Sequence, residues 1–153
     1  MKRISKHISY NEATRSNYAK KNKIANKPSS EDIENMELLA EKVFEPLREW
    51  VDAPIIINSM FRSVKLNTAL KGAARSSHMK GQAFDITSMG GKTNLEMFYY
   101  IKDKLPFDQL IWEFGNEPVW LHVSYVNETE NRGQVLVIKR SGVYHEWSPC
   151  KTC

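Results

Sequence analysis

The amino-acid sequence predicts an α+β fold, a small central antiparallel sheet flanked by two longer helices. Three observations carry that expectation. Apolar residues recur at helical spacing over two stretches, 29–50 and 93–105. Short β-branched runs lie between and after them, Ile55-Ile56-Ile57 being the clearest. Two further runs, Gln109–Phe114 and Val119–Tyr125, are separated only by Gly115-Asn116-Glu117-Pro118, a hairpin signal that favours antiparallel pairing.

Taken in order, residues 1–27 are polar and basic and read as an irregular arm, with a short helix near Asn11–Tyr18. Pro28 ends it. Ser29 or Ser30 can cap the first long helix, Glu31 and Asp32 complement its positive end, and Ile33, Met36, Leu39, Val43 and Leu47 form its apolar stripe as far as Trp50. Pro54 opens a buried strand, Ile55–Met60. A turn, a short helix over Val64–Leu70 and a Gly/Ala/Ser loop lead to a strand holding Ala83-Phe84-Asp85-Ile86, ended by Gly90-Gly91. Thr93 with Glu96 makes a capping box for the second long helix, with Leu95, Phe98, Ile101 and Leu105 on one face. The hairpin follows, and Gln134–Lys139 adds a last strand. The division expected is a basic arm (1–27), one domain (28–145) and a short tail (146–153).

A chain of 153 residues, 41% hydrophobic and 26% charged, suits one globular domain with a single core. Nothing approaches the roughly 18 consecutive apolar residues of a membrane span. The basic N-terminus has no apolar segment behind it, so it does not read as a secretory signal. The net charge is +4, with much of the excess in the first 27 residues. Solvated lysines, an anionic polymer, anionic lipid and nucleic acid all fit such a charge; sparse aromatic interleaving argues against nucleic acid. The two cysteines, Cys150 and Cys153, form a lone CxxC in the tail, without the second pair of a structural zinc site.

Chemistry concentrates in Ser76-Ser77-His78-Met79-Lys80-Gly81-Gln82-Ala83-Phe84-Asp85. Asp85 alternates with Ala83 on a strand, so both face one way, and Ala83 leaves room beside the carboxylate. Gly81 lets the backbone bend so that His78 returns toward that face. A catalytic zinc takes three N or O ligands and keeps one position for water, and His122, mid-strand in Trp120-Leu121-His122-Val123-Ser124, is the third candidate. His7 and His145 lie in polar, peripheral segments. Spacing alone leaves His122 open between metal ligand and hydrogen-bonded core histidine.

The surroundings narrow that choice. Phe61-Arg62-Ser63, Leu66-Asn67, Lys71-Gly72-Ala73-Ala74, the SxHxxGxAxD segment, Phe107-Asp108-Gln109-Leu110-Ile111-Trp112-Glu113-Phe114 and Trp120–Ser124 follow one another in an order that resembles the zinc D-Ala-D-Ala carboxypeptidase and L-alanyl-D-glutamate endopeptidase family. That group of metallopeptidases also includes lysostaphin and the hedgehog signalling domain, and the short bacteriophage branch is the most similar. The resemblance covers roughly Pro28 to Tyr125. It implies a Zn2+ cofactor on His78, Asp85 and His122, borne by the sheet, and a bacterial peptidoglycan peptide stem as substrate. It also implies an active-site role for Arg62, toward a substrate carboxylate or the scissile carbonyl, against the alternative of a structural salt bridge. Ser76 matches the serine before the first ligand, as a loop-stabilising or substrate-binding hydroxyl, and Gln109 or Asp108 could orient a ligand imidazole.

One departure concerns the general base. Many members carry an acid three residues before the last histidine, where this chain has Val119. Glu113 and Glu117 remain nearby. Glu113 is the choice, because the hairpin is expected to set it opposite His122; that placement depends on register. The leading expectation is a monomeric peptidoglycan hydrolase, made in the cytoplasm and reaching the wall after holin-type lysis or as a virion component. A zinc-bearing wall-binding module without catalysis and a nucleic-acid-binding protein are the alternatives.

Overall fold

The computed structural model describes residues 2–140 and 143–149. Cys150 and Cys153 lie outside the described residues. In the segment expected to be an irregular arm, Ser9 and Ser16 each cap a short helix, α1 (Tyr10–Thr14) and α2 (Asn17–Lys21). Arg15 is extended, which divides the single short helix expected there into two. The arm is packed rather than free. Ile4, Ile8 and Ala13 are buried in the main core, and the Phe61 amide donates to the Ala13 carbonyl. Glu45 accepts from the Ser5 hydroxyl and the His7 amide, which fastens the start of the chain to the first long helix.

Ser29 opens that helix with a capping box completed by Asp32, so two amides at the helix start find partners. It runs as α3 (Ser30–Leu39), a π-helical turn (Ala40–Phe44) and α4 (Glu45–Val51). Pro46 explains the wide turn. It has no amide to donate, and its ring crowds the carbonyl four residues back, so the helix relaxes to a longer spacing before resuming. Met36, Leu39, Val43 and Leu47 are buried along this helix, as its apolar stripe predicts; Ile33 of that stripe is half-buried, and Phe44 is buried beside it.

The sheet has six strands in the order β1-β2-β4-β3-β5-β6, namely β1 (Ile55–Ser59), β2 (Ala83–Ser88), β3 (Gln109–Glu113), β4 (Trp120–Ser124), β5 (Gln134–Arg140) and β6 (Val143–Glu146). Helix α5 (Val64–Ala69) and the 3₁₀ turn Ser77–Lys80 lie between β1 and β2, and α6 (Asn94–Lys104) lies between β2 and β3. All pairings are antiparallel except β3 with β5. The α+β expectation therefore holds, with one parallel pair and one strand, β6, that the sequence did not announce.

The two faces of the sheet differ. Phe84, Ile86, Leu110, Leu121 and Val123 are fully buried with the long helices' stripes in the main core. The other face carries the polar site. A separate small cluster of Ile111, Leu136 and Ile138, with Phe114 packed on it, lies there too. Among the described residues, no helix is long and apolar enough to cross a membrane.

Candidate metal centre and active site

Register brings the site together. Asp85 on β2 pairs directly with His122 on β4, although 37 residues separate them. An irregularity between Ile57 and Ser59 lets Ser59, on β1, align with Asp85 on its other side. His78 arrives from the 3₁₀ turn, whose end is set by Gly81 in the left-handed region at φ +69. A Cβ at Gly81 would stand 2.4 Å from the Asp32 carbonyl oxygen, so only glycine lets the turn sit against α3.

One donor atom from each of His78, Asp85 and His122 lies within 4.8 Å of the others, a group able to hold a metal ion. His78 Nδ1 is 2.7 Å from the Met60 carbonyl oxygen, so it carries the proton and leaves Nε2 free toward Asp85 Oδ2 at 3.4 Å. His122 Nδ1 lies 2.9 Å from Asp85 Oδ1. Donors about 2.0–2.2 Å from one tetrahedral ion stand about 3.3–3.6 Å apart, so the donor set fits zinc with small adjustments. Burial alone would raise the Asp85 carboxyl, but the charges and hydrogen bonds of His78 and His122 override it and hold it far below the usual carboxylate range. Burial depresses His78, against the pull of Asp85, which favours the neutral imidazole a metal needs.

The residues expected to act around this group fall into place unevenly. Arg62 is anchored on the ligand itself: Nη2 lies 3.3 Å from Asp85 Oδ2, and Nε donates to the Ser59 hydroxyl at 3.0 Å. The salt-bridge alternative for Arg62 is thus realised, at a position that still lines the cleft. Buried Asn67 couples this arginine to the following loop, accepting from Nη1 at 3.5 Å and donating to the Ala73 carbonyl. The Ser76 hydroxyl accepts from the His78 amide at 3.3 Å, stabilising the loop that carries the ligand. Neither candidate for orienting an imidazole does so. Asp108 is engaged by Arg132, and Gln109 donates to Gln134; the Met60 carbonyl has that role for His78.

Glu113 lies on the site face but not opposite His122. His122 pairs with Ile111, and Glu113 pairs with Trp120, two residues along the same face. Each strand stops one residue short of its expected end, so the connection is 114–119 and sets Glu113 against Trp120; Phe114 and Gly115 turn the chain there with positive φ of 62° and 79°. Glu113 is raised to about 7, by burial first and by repulsion from Asp85 second, with His122 opposing. Glu117 is exposed in the turn and does not line the cleft.

His78, Asp85, His122, Arg62, Ser76 and Glu113 line one cleft of about 580 Å³, bordered by the 71–77 loop on one side and by β3, β5 and β6 on the other. Tyr144, on β6, also lines it. Burial and the charges of Glu113 and Asp85 raise its hydroxyl above the ordinary phenol value. Sequence reasoning missed Tyr144 because β6 is short; the one signal was the Ser141-Gly142 dipeptide after a β-branched strand.

An α+β domain presenting a His, Asp and His group in an open cleft, with a carboxylate on the same sheet face, has the make-up of a metallopeptidase. A sequence model of peptidase M15 matches residues 6–124, and the chain belongs to the peptidase M15 family. The family resemblance carried by the linked motifs is thereby borne out. No curated protein matches the chain.

Proposed function

We propose that this protein is a zinc-dependent peptidase that hydrolyses peptide bonds in bacterial peptidoglycan, as a D-Ala-D-Ala carboxypeptidase or an L,D-endopeptidase of the phage-derived lysin type. The observation that carries this reading is the convergence of His78, Asp85 and His122 in a cleft that also holds Glu113. Zinc bound there supplies Lewis acidity and makes water a usable nucleophile at neutral pH.

The chain's own residues do the rest. His78 Nε2, Asp85 and His122 Nδ1 hold the ion, and Met60 fixes the His78 tautomer through its carbonyl. Glu113 takes the proton of the attacking water on a carboxylate oxygen and passes it to the leaving amine. Arg62 holds Asp85 in place and presents the rest of its guanidinium to the substrate carbonyl or carboxylate. Ser76 supports the ligand loop. The enzyme acts as a monomer and reaches the wall after lysis or as a virion component.

The deciding experiment is mass analysis of fragments released from purified wall by zinc-loaded protein, beside a chelated sample and Asp85→Ala. New amino groups that vanish in both controls support the proposal. Stoichiometric zinc with no released amino groups indicates a wall-binding module instead.

A further inference from the structure

The strongest unassigned feature is the far wall of the cleft. The family match ends at residue 124, yet three residues beyond it, Leu136, Ile138 and Tyr144, line the same cleft as the metal-binding group. Register puts them there: Leu136 pairs with Ile111, Ile138 with Glu113, and Tyr144 with Ile138.

The two walls have opposite chemistry. On the loop side stand Arg62, Lys71 and Arg75; on the hairpin side stand Ile111, Leu136 and Ile138, buried against one another. An anionic side chain arriving on the hairpin side would lose hydration beside Glu113, with no cationic partner in that cluster. An uncharged side chain would not. Among the described residues of β5 and β6, Tyr144 is the one with a polar side chain that lines the cleft. The residue is 54% exposed, and its hydroxyl has no hydrogen-bond partner among the described residues. A phenol beside an apolar floor offers ring area to a side chain and a hydrogen bond to a peptide backbone group.

We propose that the β5–β6 hairpin is the specificity wall of the cleft, where the apolar cluster selects an uncharged residue beside the scissile bond and the Tyr144 hydroxyl binds the adjoining peptide backbone. The inference rests on the peptide-hydrolysis reading of the cleft. It places the substrate's carboxylate-bearing part over Arg62, Lys71 and Arg75.

The test uses full-length, zinc-loaded protein and synthetic stem-type peptides carrying Ala or Asp on either side of the bond that fragment masses identify. Wild type should prefer Ala to Asp on one side. Tyr144→Lys should erode that preference on the same side about tenfold, and Tyr144→Phe should raise KM about fivefold with kcat and zinc content unchanged. Because Tyr144 is exposed, both variants should fold; thermal unfolding checks this. Equilibrium binding of the Ala peptide, followed by tryptophan emission, gives a readout independent of turnover. Binding that weakens in Tyr144→Phe without any hydrolysis keeps the wall and removes the hydrolase. Unchanged KM, binding and side-chain preference in both variants overturn the inference.

Discussion

Glu113 is poised near neutrality because burial penalises its charge and Asp85 repels it. A cation at the neighbouring triad reverses part of that balance and lowers Glu113 from about 7. As a base it works ionised, so activity should rise with pH along an acid limb below 7. Glu113→Gln should lose that limb and about 10²–10⁴-fold in kcat while retaining zinc, measured by pH–rate profiles and metal analysis. The stability sign is opposite in metal-free protein. The folded pKa lies above the ordinary 4.5, so the favourable contribution of the neutral form is lost as pH rises from about 4.5 to about 7. His78 and Asp85 were legible as a pair because Gly81 and Ala83 sit between them. The exact neighbour of Glu113 was not, because the residues at which the two strands end, which set the register, leave no mark in residue type.

Among the elements, the 3₁₀ turn Ser77–Lys80 has the narrowest tolerance. It depends on Gly81, whose missing side chain lets the turn rest on α3. Gly81→Ala should therefore destabilise by about 1–3 kcal/mol and weaken zinc binding about tenfold or more, because the displaced turn carries His78 with it. Gly133→Ala separates the causes. Gly133 also has positive φ, 61°, but nothing lies within 4 Å of an added Cβ, so stability should fall with zinc affinity unchanged. Denaturant unfolding and competition with a chromogenic chelator read the two effects. The helix stripes were plain in the sequence, since Met36, Leu39, Val43 and Leu47 repeat at the right interval. The parallel β3–β5 pair was not, because its register is set by contacts between distant segments such as Gln134 with Asp108 and Gly133 with Phe107.

At the scale of the whole molecule, the basic first segment belongs to the fold. Its lysines and asparagines disguise Ile4 and Ile8, a lone pair with no apolar stripe continuing from it, yet both are buried in the core. Removing residues 1–27 should cost about 3–6 kcal/mol from those two isoleucines alone, visible as a large drop in Tm. If this basic segment adds affinity for an anionic wall, reversing the charge of Lys20, Lys21 and Lys23, which are exposed, should weaken wall binding at low salt. The pairing of Asp85 with His122 has a last consequence. Because the two belong to neighbouring strands that α6 and β3 separate along the chain, an ion shared between them acts as a removable clasp on the middle of the chain. Each tenfold rise in free zinc above its dissociation constant should add about 1.4 kcal/mol to folding stability, so the unfolding temperature should climb with the logarithm of zinc activity and stay flat in Asp85→Ala. Resistance to unfolding would then track the local metal supply, and scarcity would weaken shape and chemistry together.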